Sequence, residues 1–123
     1  MTQISSDERL FMAIVEIKKY DVAYYAGGRN AAGYPYRAII GLRDDSDKLI
    51  GAAYFHQSSS TMPSGDSHKA SGYISCHYLA ADYPEILDIL RNEKPVYVEF
   101  EMSVGIANIR TSAEPVGEGE QSD

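Results

Sequence analysis

Tyr36-Arg37-Ala38-Ile39-Ile40-Gly41-Leu42-Arg43-Asp44-Asp45-Ser46-Asp47-Lys48-Leu49-Ile50-Gly51-Ala52-Ala53-Tyr54-Phe55-His56 is the stretch that decides the fold. Two β-rich runs, Tyr36–Arg43 and Lys48–His56, flank the polar turn formers Asp44 to Asp47, which is the pattern of an antiparallel hairpin. Pairing Arg43 with Lys48 gathers Tyr36, Ala38, Ile40 and Leu42 opposite Phe55, Ala53, Gly51 and Leu49 on an apolar face. The other face is mixed and sets Arg37, Ile39, Gly41 and Arg43 against Tyr54, Ala52, Ile50 and Lys48. A one-residue slip matches the faces less well, so the hydrophobic pattern selects the pairing.

Working outward, Gly72–Leu79 alternates Ile74, Cys76 and Tyr78 with Tyr73, Ser75 and His77, as a third strand would. A helix is expected from Tyr83 to about Arg91, with Asp82 as N-cap, Glu85 as its capping-box partner and Pro84 in the tolerant first turn. Ile86, Leu87 and Leu90 form its apolar stripe, Asn92 ends it, and Pro95 prevents its resumption. Val96, Val98, Phe100 and Met102 then alternate with Tyr97, Glu99 and Glu101, and Ser103-Val104-Gly105 turns the chain into a last strand, Ile106–Thr111.

The opening segment carries two signals. Ser5-x-x-Glu8 is a helix-capping pattern with Leu10, Ile14 and Ile17 on one face, whereas Phe11, Val15, Val22 and Tyr24 favour a long, bulged strand. The strand reading is the stronger. The expected fold is therefore mainly β (α+β): a five- to six-stranded antiparallel curved sheet or small open barrel, with one helix before the last two strands. The order of elements resembles that of an OB-type small barrel, and a shared order by itself licenses no function.

The chain has 123 residues, 44% of them apolar and 24% charged, and a formal net charge of −7. That length fits one domain, here residues 1–113, followed by an acidic tail, 114–123, expected to be disordered. No apolar run is long enough to span a membrane, and the first residues lack the basic and apolar regions of a secretory signal. One cysteine, Cys76, cannot make an internal disulfide, so a cytoplasmic location is expected. The acidic balance disfavours nucleic-acid and anionic-membrane partners, even with the tail's acids set aside.

Reactive constellations are hard to find. His56, His68, His77 and Cys76 lack zinc-ligand spacing. If Lys48–His56 pairs antiparallel with Gly72–Leu79, so that His56 faces Gly72, His77 falls opposite Gly51. At about 3.3 Å per residue the two imidazoles are then roughly 17 Å apart, so no metal is expected. Cys76 and His77 are strand neighbours pointing to opposite faces, which makes Cys76 a core thiol and not a nucleophile. Gly28-Arg29-Asn30-Ala31-Ala32-Gly33 has the glycine spacing of a phosphate loop, but lacks the lysine and the helix that hold phosphate. Glu99 and Glu101 share one strand face about 7 Å apart, yet Tyr97-x-Glu99-x-Glu101 is also an ordinary solvent-facing pattern.

Tyrosine is the departure from expectation, with ten Tyr, three Phe and no Trp. Tyr54, Tyr73 and Tyr97 fall on the polar sides of their strands, and Tyr20, Tyr24, Tyr25 and Tyr34 surround the glycine loop that holds Arg29. Tyr with Arg is the composition of an interface core. The sequence thus reads as a non-enzymatic binding or assembly module without cofactor, homodimeric or joined to another protein. Its candidate contact residues are Tyr24, Tyr34, Arg37, Tyr54, His56, Tyr73 and Tyr97. The alternative is a small-molecule binder or enzyme with a pocket under loops 27–35 and 57–71, the longer acting as a lid.

Overall fold

A computed structural model describes residues 12–29, 32–113 and 115–117. The capping pattern at residues 5–8 and most of the acidic tail lie outside these residues. In chain order the elements are β1 (Met12–Ile17), β2 (Lys19–Tyr24), β3 (Tyr36–Arg43), β4 (Leu49–His56), β5 (Ser67–His68), β6 (Ile74–Leu79), α1 (Tyr83–Asn92), β7 (Val96–Glu101) and β8 (Ile106–Thr111). The protein is mainly β, with its helix before the last two strands, as the alternation predicts. The strands form two sheets, β1-β7-β8 and β2-β3-β4-β6-β5, that do not close into a barrel.

The opening segment is strand, broken at Lys18. Before the break it pairs with β7, Ile17 facing Val96; after it, it pairs with β3, Lys19 facing Arg43. One chain segment therefore belongs to both sheets and ties them together on one side.

The β3–β4 hairpin keeps the expected faces in a different register. Ala38 faces Phe55, Ile40 faces Ala53 and Leu42 faces Gly51. A shift of two residues leaves every side chain on its face, because the side-chain period is two. The shift arises in the turn, where the Asp44 carboxylate accepts from the Ser46 and Lys48 backbone N–H groups at 2.9 Å each. Asp47 there adopts a left-handed φ of 68°, a conformation that Asp tolerates better than most residues. A second irregularity, between Tyr36 and Ala38, makes Arg37 the bulged residue and moves Tyr36 off the apolar face.

The expected antiparallel pairing of β4 with the Gly72–Leu79 strand is overturned. β4 and β6 run parallel, with Gly51 facing Ile74, Tyr54 facing His77 and His56 facing Leu79. The connection from Gln57 to Tyr73 is long enough for a crossover, and on the way it adds β5 to the far edge of β6. β4 and β6 approach so closely at one point that a Cβ on Gly51 would collide with the carbonyl oxygen of Ile74.

Helix α1 follows a 3-10 turn, Ala80–Asp82. Asp82 occupies the N-cap position, but its side chain caps nothing, because the preceding turn leads directly into the helix. Ile86 is buried, and Tyr83, Ile89 and Leu90 pack on the core. Ala38, Ile40, Leu42, Ala53, Phe55, Ile74, Val98 and Cys76 are almost fully inaccessible and form its centre. Each large aliphatic or aromatic chain buried there contributes about 1.5–3 kcal/mol.

The far sides of the two sheets are joined by Asp66. Its Oδ1 accepts from the His77 backbone N–H of β6 at 2.7 Å, and its Oδ2 accepts from the Ala107 backbone N–H of β8 at 2.8 Å. Its own N–H donates to the Gly105 carbonyl at 2.9 Å. The carboxylate thus supplies acceptors at a seam where no strand pairing exists.

Candidate functional site

The mixed face of the five-stranded sheet carries a continuous run of aromatic and imidazole rings. Tyr25 and Tyr34 meet edge-on at 5.1 Å and close the glycine loop, and Tyr34 meets Tyr36 at 5.6 Å. The bulge at Arg37 turns Tyr36 onto Tyr54, at 5.2 Å, and onto His56, at 5.0 Å. Tyr54 stacks on His77 at 5.2 Å and 17°, as their facing positions on parallel strands dictate. Tyr73, at the end of the crossover, shares a 2.7 Å hydroxyl–hydroxyl bond with Tyr54. Burial, and then this bond, raise the Tyr73 phenol above its ordinary range.

Four expected contact residues, Tyr34, Tyr54, His56 and Tyr73, therefore come together. Arg37 lies at the margin, where its Nη1 donates to the Tyr25 carbonyl oxygen at 3.1 Å. Two stand apart. Tyr24 is 60% exposed but packs edge-on against Tyr83 of the helix, and Tyr97 belongs to the other sheet, facing Arg110 across the β7–β8 pair. Arg43, placed by alternation with Tyr54, sits at the far end of the hairpin and donates to Asp21 at 2.8 Å.

The imidazoles require the largest correction. His56 Nε2 and His77 Nδ1 are 2.9 Å apart, not on opposite ends of two strands. Parallel pairing brings the carboxyl ends of β4 and β6 together, whereas antiparallel pairing would separate them. His56 is buried at 2% exposure, and its Nδ1 lies 2.9 Å from Thr61 Oγ1. Burial lowers the affinity of both rings for protons below the ordinary imidazole value, which favours their neutral forms. For His56 the neighbouring His77 adds to that effect; for His77 the charge of Asp66 opposes it.

Sequence reasoning missed His77, Tyr36 and Thr61 as members of this cluster. The available signal was the length of the 57–73 connection, which admits a parallel crossover. Nothing in the sequence marks the bulge that redirects Tyr36.

Cys76 and His77 do not form a nucleophile–base pair. Cys76 points into the core, away from His77, and burial followed by the charge of Asp66 pushes its thiol up to about 12. Glu99, expected at the surface, is 2% exposed, and its Oε1 accepts from Asn108 Nδ2 at 3.0 Å and Arg110 Nη1 at 3.1 Å. Glu101 is exposed, so the two carboxylates do not share one environment. Among the described residues no group of three or more His, Cys, Asp or Glu is arranged to hold a metal ion. No helix among them is long and apolar enough to cross a membrane.

A cavity of about 300 Å³ adjoins the ring cluster. It lies between Ala32–Pro35 and the start of the crossover, where Gln57, Ser58 and Thr61 form its wall. Gln57 closes one side by donating to the Tyr34 carbonyl oxygen at 2.9 Å. A larger cavity, about 450 Å³, lies at the β1–β2 break beside the end of α1. No protein family, curated protein or solved structure matches the chain.

Proposed function

We propose that this protein is a non-enzymatic binding and assembly module that docks a polypeptide on the tyrosine strip, with a second copy of itself as the occupant. The observation that carries this reading is the unbroken ring contact from Tyr25 through Tyr34, Tyr36 and Tyr54 to His77. Tyrosine offers a large flat body with a polar tip and loses little side-chain freedom on docking, which suits a surface that is wet in one state and covered in another. A two-fold dimer places the same strip on both subunits, so one run of rings serves as both halves of the contact. The single free thiol, Cys76, supports a reducing compartment, and we place the protein in the cytoplasm.

Sedimentation equilibrium over a wide concentration range tests this. A dimer that Tyr34→Ala and Tyr54→Ala weaken, while Tyr97→Ala leaves it unchanged, is the expected result. A protein that stays monomeric at its solubility limit refutes the self-association.

The cavity at Thr61 supports a second reading, in which a small neutral polar molecule binds between the two loops. A thermal-shift screen against metabolites separates the readings. Stabilisation by a compound, abolished by Ser58→Trp, favours the small ligand.

A further inference from the structure

The direction of the hydrogen bonds through His56 follows from its partners. The Ser58 carbonyl oxygen can only accept, so Thr61 Oγ1, 3.1 Å away, spends its proton there. Thr61 Oγ1 must then accept from His56 Nδ1–H at 2.9 Å. A neutral imidazole carries one N–H, which leaves His56 Nε2 as a bare acceptor. His77 Nδ1, 2.9 Å away, is therefore the donor, and His77 Nε2 is left with a lone pair and no hydrogen-bond partner among the described residues. The crossover segment thus holds one imidazole so that the other presents an acceptor on the tyrosine strip.

The surroundings of that acceptor favour a cation. The His77 ring lies against the Tyr54 face, and π faces attract guanidinium and ammonium groups. The Asp66 carboxylate touches the His77 backbone and has backbone N–H partners, but no Lys or Arg within ion-pair distance among the described residues.

The opposite end of the strip carries the complementary group. Arg29 lies in the loop that Tyr25 and Tyr34 close, and its guanidinium makes no side-chain hydrogen bond or ion pair among the described residues. Arg37, whose guanidinium lies beside Gly27 of the same loop, is already committed to the Tyr25 carbonyl oxygen.

We infer that in the dimer Arg29 of a second copy donates to Nε2 of His77 in the plane of the imidazole, its guanidinium at the edge of the Tyr54–His77 stack. A two-fold axis through the middle of the strip superposes opposite ends, so each copy brings its arginine to the other's imidazole and the contact is made twice. The acceptor is incomplete without the second copy. This inference rests on the strip being the dimer face.

Arg29→Ala tests it, because Arg29 is exposed and its loss leaves the fold intact. Sedimentation equilibrium should show the dimer weakened about tenfold, and Arg29→Lys should recover part of the loss. Mixing Arg29→Ala with His77→Ala should give heterodimers tighter than either homodimer, since one of the two contacts is then restored. A wild-type protein that never dimerises removes the dimer face itself. A wild-type dimer matched by Arg29→Ala, or a mixture no tighter than its components, overturns the arginine contact and leaves the dimer face standing.

Discussion

Asp66 and Ala107 are joined across the seam between the two sheets by a 2.8 Å bond from a backbone N–H to a carboxylate oxygen, and the other oxygen holds His77. On the side away from the β1–β2 segment, the two sheets are thus tied by one residue of the crossover. Asp66→Ala leaves two backbone donors without an acceptor, at roughly 1–3 kcal/mol each. Asp66→Asn keeps one acceptor oxygen and should lose about half as much. Urea denaturation reads both; an alanine variant as stable as wild type would show that packing alone holds the seam.

At Gly51, β4 and β6 leave no room for a Cβ, which would collide with the Ile74 carbonyl oxygen. Gly51→Ala forces the strands apart and should cost about 1–3 kcal/mol, as overpacking does elsewhere. Gly28→Ala is the matched control, because a Cβ there meets nothing within 4 Å. Thermal melts of the two variants should separate clearly.

The imidazole pair makes stability depend on pH. Both rings have native proton affinities lowered from the ordinary 6.5, chiefly by burial. Below that value the unfolded chain binds more protons than the native one, so stability falls as the pH falls through this window. Melting temperature should drop between about pH 7 and pH 5, and the His56→Gln/His77→Gln double variant should flatten that slope. An unchanged slope would place the dependence on other groups.

Cys76 is 1% exposed, and its thiol is pushed up to about 12. Thiolate, the reactive form, is scarce at any ordinary pH, so a disulfide reagent should leave native protein unmodified and label it fully once unfolded. Labelling as fast as a free thiol's in the native state would contradict the burial.

Much of the fold was legible locally. The alternation from Ala38 to His56 specified both faces of the hairpin, and Asp82 to Pro95 bounded the helix to within a residue, because these signals lie within a few positions of one another. Ser5–Glu8 aside, the choice of strand for Met12–Tyr24 also followed from local preference, although its division between two sheets did not.

What the sequence determined by itself is the identity of the longer strands, the side chains most of them turn inward, with Tyr36 and Glu99 the exceptions, and the wealth of tyrosine that remains for the other face. Only tertiary structure decided that β6 runs parallel to β4, that a bulge at Arg37 swings Tyr36 across, and that Asp66 bridges the sheets. The physical reason is that pleat and periodicity are properties of neighbouring residues. Strand direction across a long connection is a property of how the whole core packs, and it is strand direction that brings His56 and His77 together.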